Sequence, residues 1–146
     1  MKQNYYFLID RSNSIEKHHY QTFKRAVSKA LMSLHPENAF NIIIFNSKIT
    51  KLSEKPVSYS KKSIQWAEDF LEKQSHGTHF AATDIYSALI QIIPSDVPED
   101  EMNTAIFISD GDSSPQPEKQ RKLIQNWITK NNGKVSLYTA YDRRKK

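Results

Sequence analysis

Oxygen-bearing side chains follow two apolar segments of the sequence, and their types fit the binding of a hard divalent cation. Asp10, Ser12 and Ser14 are spaced two apart directly after the first apolar run. Asp110 follows the second of these runs, residues 104–109. Carboxylate, hydroxyl and water oxygens form the shell that Mg²⁺ or Mn²⁺ prefers. These residues therefore predict a cation site, provided that the fold brings the two segments together.

The spacing of apolar residues predicts an alternation of strands and helices. The predicted strands span 5–10, 39–45, 48–52, 104–109 and 135–141, and the predicted helices span 15–34, 60–73, 83–92 and 117–131. Such an alternation indicates an α/β fold with a doubly wound, mostly parallel, Rossmann-like sheet and helices on both faces. We predict the strand order 3-2-1-4-5, with only the edge strand 48–52 antiparallel.

This order places the first strand beside the strand 104–109, where the direction of the connections reverses. Open α/β sheets bind ligands outside the carboxyl ends of strands at this switch point. Asp10 and Asp110 should therefore face one crevice, with Ser12 and Ser14 beside them. A threonine at the start of the helix 83–92 is within reach of the same place. So few carboxylates would leave a bound cation with much of its positive charge and an open position.

The segment Asp10-Arg11-Ser12-Asn13-Ser14 matches the D-x-S-x-S motif, and the chain resembles von Willebrand factor A (vWA) domains. Thr83-Asp84 is similar to the threonine-bearing helix start of that family, and Asp110-Gly111 is similar to its strand-terminal Asp-Gly. The resemblance spans residues 4–141. It implies a metal-ion-dependent adhesion site (MIDAS), which binds protein ligands commonly through a carboxylate of the ligand.

Carried over residue by residue, the resemblance implies a set of five metal ligands. They are Asp10, Ser12, Ser14, Thr83 and Asp110. The pair Gly77-Thr78 offers an alternative threonine, and the family's Gly-Gly before the threonine is replaced here by Ala81-Ala82. The apolar face that follows Thr83 has the better helical phase, and it favours Thr83 over Thr78.

The resemblance implies a binding module, not an enzyme, whose protein partner presents an acidic residue, with Arg11 beside the crevice. The sequence shows no phosphate-binding glycine loop and no Ser-His-Asp order, and it contains only three glycines. The alternative function is a metal-dependent phosphohydrolase of the haloacid-dehalogenase type, which also has an Asp after its first strand. That chemistry usually needs a second Asp two positions later, where this chain has Ser12.

The composition sets the remaining expectations. The 146 residues suit a single domain, 1–146. The chain has no cysteine, which fits a reducing compartment and slightly favours the cytoplasm. No apolar run approaches the roughly 20 residues of a membrane span, and the N-terminus has no signal-peptide layout. The net charge is +5, and we interpret the basic tail 142–146 as a solvated end and not as a nucleic-acid surface.

The family usually continues with a further strand and a terminal helix beyond the point where this sequence ends. We therefore expect a truncated or minimal vWA domain that is part of a larger protein or complex.

Overall fold

A sheet of six strands and the helices beside it make up the part of the chain that the computed structural model describes. The described residues are 2–11, 17–45, 48–74, 89–90, 92, 98–109, 125 and 133–141. The strands are β1 (Lys2–Asp10), β2 (Asn38–Phe45), β3 (Ile49–Lys51), β4 (Val57–Ser58), β5 (Glu101–Ser109) and β6 (Ser136–Tyr141). The helices with described bounds are α1 (Lys17–Leu31) and α2 (Lys61–Lys73), and the backbone is also helical at Leu89, Ile90, Ile92 and Gln125.

The strand order is β3-β2-β1-β5-β6, which confirms the order predicted for the five strands expected from the sequence. β1 pairs in parallel with β2 and β5, and β5 pairs in parallel with β6. β3 is antiparallel to β2, as predicted. The prediction that no other strand is antiparallel was wrong, because the two-residue strand β4 also pairs with β2 in this sense.

Asn41 explains why the chain returns along β2 in two short strands instead of one. β3 lies opposite residues 43–45 of β2, and β4 lies opposite residues 39–40. Between them, Asn41 Nδ2 donates to the Ser53 carbonyl at 2.7 Å, and Asn41 Oδ1 accepts from the Ser53 N–H at 3.1 Å. The buried amide thus replaces backbone pairing at the interruption between the two strands.

Helices cover both faces of the sheet, as expected for a doubly wound fold. The core on the face of α1 and α2 includes Phe7, Ile9, Tyr20, Phe23, Val27, Leu31, Phe40, Ile42, Ile44, Ala67 and Leu71. The core on the opposite face includes Tyr6, Leu8, Ile43, Phe45, Leu89, Ile92, Ala105, Phe107 and Val135. Because β1 and β2 are buried on both faces, they need the unbroken apolar runs seen in the sequence.

The ends of several elements differ from the prediction. β1 and β5 begin at Lys2 and Glu101, earlier than expected, and polar residues at their starts contact one another across the strands. Lys2 Nζ lies 3.6 Å from Glu101 Oε1, and Asn4 Nδ2 donates to Asn103 Oδ1 at 3.1 Å. α1 ends at Leu31 and not at residue 34. The N–H groups of Ser33 and Leu34 bond to carbonyls three residues earlier, and not four residues earlier as in an α-helix.

Candidate metal centre

Asp10 is the last residue of β1, the central strand, and its side chain is fully buried. The register places Asp10 opposite Phe45 of β2, and it places Ile9 opposite Ile108 of β5. β1 and β5 therefore end at the same edge of the sheet, within about one residue of each other. β2 and β5 lie on opposite sides of β1, so the direction in which the chain adds strands to the sheet reverses at β1. The predicted switch point therefore lies at the end of β1, at Asp10.

The remaining predicted ligands have no described position. Ser12, Ser14, Thr83 and Asp110 lie outside the described residues, as does the alternative Thr78. The described part of β5 ends at Ser109, the residue directly before Asp110. The fold thus brings together Asp10 and the strand end that precedes Asp110, and the five-ligand set stays a prediction.

The chemistry of the predicted donors fits a hard cation. A fully buried carboxylate such as Asp10 is stable only where donors or a cation compensate its charge. Three of the five predicted ligands are hydroxyls, and the chain has no cysteine to favour a softer metal. The described residues contain no group of three or more His, Cys, Asp or Glu side chains that could hold an ion. A site in this chain would therefore depend on the predicted hydroxyl ligands.

Arg11 lies at the same edge of the sheet and is half-buried. Its backbone N–H donates to the Phe45 carbonyl at 2.8 Å. Its guanidinium Nη1 donates to Gln74 Oε1 at 3.4 Å, which ties the residue after Asp10 to the end of α2. Arg11 thus lies beside the candidate site, as predicted, and its side chain contacts the protein.

Gln74, the C-cap of α2, receives two further hydrogen bonds from α1. The Tyr20 hydroxyl donates to the Gln74 carbonyl at 3.0 Å, and Lys24 Nζ donates to the same oxygen at 3.1 Å. Tyr20 is fully buried, and Lys24 is only 9% exposed. Lys24 Nζ also lies 5.0 Å from the centre of the Tyr20 ring.

The sequence interpretation missed Tyr20 and Lys24 as functional candidates. Their four-residue spacing and their phase with Phe23 and Val27 place them on the buried face of α1, and this signal was available. The acceptor on Gln74 is its backbone carbonyl. Every residue has this group, so the residue type does not indicate the contact.

Burial controls the protonation of these two side chains. It raises the pKa of Tyr20, while the charge of Arg11 and a hydrogen bond from it act in the opposite direction. The phenol therefore keeps the proton that it donates to Gln74. Burial lowers the pKa of Lys24, an effect that Glu72 opposes and Arg11 reinforces. The Lys24 amine has an N–H to donate in either protonation state.

The strand order and the buried Asp10 at the switch point define a doubly wound α/β domain. The family profile of the von Willebrand factor type A domain matches residues 3–139, so the chain belongs to this family.

The sequence relatives are much longer proteins. Inter-alpha-trypsin inhibitor heavy chain H4 from Homo sapiens is 26% identical over 145 residues, which cover 94% of this chain and 15% of the relative. Von Willebrand factor A domain-containing protein 5B1 from Mus musculus is 30% identical over 120 residues, which cover 82% of this chain and 10% of the relative. This chain thus spans a small part of the curated relatives that it matches, and these relatives lend no support to a phosphohydrolase.

Solved structures show the same fold. A von Willebrand factor type A structure from Catenulispora acidiphila matches with a TM-score of 0.75 and 18% identity, over 94% of this chain and 32% of the other. An aerotolerance-related membrane protein from Bacteroides fragilis matches with a TM-score of 0.73 and 18% identity, over 93% of this chain and 65% of the other. Within the described part of this chain, no helix is long and apolar enough to cross a membrane.

Proposed function

We propose that this vWA domain is a metal-dependent protein-binding module and not an enzyme. Asp10, Ser12, Ser14, Thr83 and Asp110 would hold Mg²⁺ or Mn²⁺, and a carboxylate of the partner protein would complete the shell. The observation that carries the proposal is the fully buried Asp10 at the carboxyl end of the central strand. Ligands bind at this position in open α/β sheets.

The number of predicted ligands supports binding of a partner over a purely structural ion. A structural metal site is closed by protein ligands, whereas a site that binds an outside group keeps a position open. The two carboxylates formally match the charge of the divalent ion, but five protein oxygens leave at least one of its roughly six coordination positions open. The ion would supply the Lewis acidity that attracts a carboxylate, and Arg11 would add positive charge beside it.

The first experiment measures metal binding directly. Isothermal titration of Mg²⁺ and Mn²⁺ is compared between the wild type and Asp10→Ala, and we expect modest affinity that the substitution abolishes. Asp69→Ala is the matched control, because Asp69 is an exposed carboxylate on α2 whose partner is the neighbouring Gln65. Equal binding by the wild type and Asp10→Ala would remove Asp10 from the site.

The second experiment tests the partner. The wild-type domain is used to capture proteins in Mg²⁺ and in chelator, and captured partners are then tested with their exposed Asp and Glu residues replaced. We expect capture to require both the metal and one acidic residue of the partner. Undiminished capture in chelator would contradict the proposal. So would turnover of a generic phosphate ester that Asp10→Asn abolishes.

A further inference from the structure

A buried polar pair joins β1 and β5 near their amino-terminal ends. Asn4 and Asn103 are in register on the two strands, and each is 5% exposed. Asn4 Nδ2 donates to Asn103 Oδ1 at 3.1 Å. We propose that the remaining ends of these two amides bind internal water, which makes water part of the junction between β1 and β5. This inference is independent of the proposed metal site.

One atom of each amide makes no hydrogen bond to any of the described residues. These atoms are Asn4 Oδ1 and Asn103 Nδ2, and both are buried. The other amide atoms are paired, since Asn103 Oδ1 accepts from Asn4 Nδ2 and also from the Tyr6 hydroxyl, the latter at 3.4 Å. Buried polar atoms nearly always have a partner in the protein or in ordered water. The two unpaired atoms therefore mark a place where a ligand is expected.

Glu101 fixes which amide atoms are left unpaired. Its Oε2 accepts from Asn4 Nδ2 at 3.4 Å, and a carboxylate oxygen could not bond in this way to the amide oxygen. The Asn103 atom that faces Asn4 Nδ2 must then be the amide oxygen. An exchange of nitrogen and oxygen in either amide would place two donors or two acceptors against each other. The unpaired atoms are therefore one acceptor, on Asn4, and one donor, on Asn103.

Water is the ligand whose chemistry matches both positions. The Asn4 oxygen needs a donor and the Asn103 nitrogen needs an acceptor, and a water molecule supplies both functions. A metal ion could serve only the oxygen, and an anion could serve only the nitrogen. Because both residues are buried, the ligand must also be small. Internal water characteristically bonds to otherwise unpaired buried groups of this kind.

The surroundings of the pair favour water over a further protein group. Ala39 of β2 is in register with Asn4 and fully buried, and its short side chain leaves space beside the Asn4 amide. The described core residues on this face of the sheet are apolar except for the hydroxyl of Tyr6. They are Tyr6, Leu8, Ile43, Phe45, Leu89, Ile92, Ala105, Phe107 and Val135. Holding a water here costs less than leaving the two amide atoms unpaired.

Two measurements on the wild-type protein test for this water. A high-resolution crystal structure should show ordered water at about 2.7–3.2 Å from Asn4 Oδ1 and from Asn103 Nδ2. In solution, the side-chain amide protons of Asn103 should show nuclear Overhauser effects (NOEs) to a long-lived water molecule. The internal control is the Asn41 amide proton that bonds to the Ser53 carbonyl at 2.7 Å, which should show no such NOE. Absence of the water in either measurement would overturn the inference.

Two variants identify the source of the signal. Tyr6→Phe removes the hydroxyl that bonds to Asn103 Oδ1, whose exchangeable proton could imitate water. The NOE should persist in this variant, and its loss would assign the signal to the hydroxyl and overturn the inference. Asn4→Leu combined with Asn103→Leu makes the site apolar, and it should lower the number of long-lived internal waters measured by magnetic relaxation dispersion. An unchanged number would also overturn the inference, and Tyr6→Phe decides if the double variant does not fold.

Discussion

The backbone N–H of Arg11 donates to the carbonyl oxygen of Phe45 at 2.8 Å, one residue beyond the end of β1. The pairing between β1 and β2 therefore continues past Asp10. Backbone hydrogen bonds therefore hold the path of the chain at the candidate site. Substitution of Asp10 should thus remove a proposed metal ligand without disturbing β1.

The first prediction is that Asp10→Ala removes partner binding and keeps the fold. Thermal unfolding without metal, followed by circular dichroism, measures the fold, and capture of a recovered partner in Mg²⁺ measures binding. We expect a melting temperature close to that of the wild type and no capture. A loss of about 10 °C, on the order of 2 kcal/mol for a domain of this size, would instead identify a structural site.

The second prediction concerns metal as a stabilising ligand. An ion that binds only the folded state stabilises it by mass action, by about 1.4 kcal/mol at ten times the dissociation constant. We expect Mg²⁺ to raise the melting temperature of the wild type in a concentration-dependent way. Asp10→Ala should show no such rise, whereas the Asp69→Ala control should match the wild type. A rise of equal size in Asp10→Ala would place the ion elsewhere.

The third prediction is that Asn41→Ala is strongly destabilising. Asn41 is 2% exposed, and its amide satisfies both backbone groups of Ser53. Removing it leaves the half-buried backbone groups of Ser53 and the buried Ile42 N–H without this partner, at a cost of about 1–3 kcal/mol. Urea unfolding measures the change.

Ser53→Ala is the control for this prediction, because Asn41 bonds to the backbone of Ser53 and not to its hydroxyl. The control should unfold nearly like the wild type. Equal stability of Asn41→Ala and the wild type would show that the amide does not link the two strands.

The fourth prediction is a loss of stability at alkaline pH that depends on Tyr6. Burial, assisted by the charge of Glu101, raises the pKa of Tyr6 to about 12. In the unfolded chain the pKa of this tyrosine is near its ordinary value of 10.0. Between the two pKa values the folded state therefore binds more protons than the unfolded state. The contribution of Tyr6 is thus fully present below pH 10 and declines toward pH 12, with a slope of at most about 1.4 kcal/mol per pH unit.

Tyr6→Phe isolates this effect. Urea unfolding at several values between pH 9 and 12 should give a steeper fall for the wild type than for the variant. Tyr5→Phe is the control, because Tyr5 is the residue next to Tyr6 in the same strand. Its hydroxyl donates a hydrogen bond to Gln3 Oε1 at 2.6 Å. Parallel curves for the wild type and Tyr6→Phe would contradict the assignment.

The order of the main strands was predictable because apolar runs such as that of β1 are long and carry a clear signal. β4 was not predictable, since it has two residues and depends on the interruption that Asn41 creates in the pairing with β2. The same contrast holds at the candidate site. Asp10 was predicted at a strand end and lies there, whereas the role of the Gln74 carbonyl depends on tertiary contacts that sequence spacing does not encode.

The pairing of β1 with β5 also affects how the protein is made. Asn4 and Asn103 bond across 99 residues of sequence, so one edge of the central strand stays without its neighbour until the ribosome has produced β5. Contacts between such distant residues slow folding, because a large loop must close before they form. An apolar strand edge that waits for its neighbour can pair with other nascent chains. The strand that positions Asp10 is therefore also a segment of the growing polypeptide that is exposed to aggregation until β5 pairs with it.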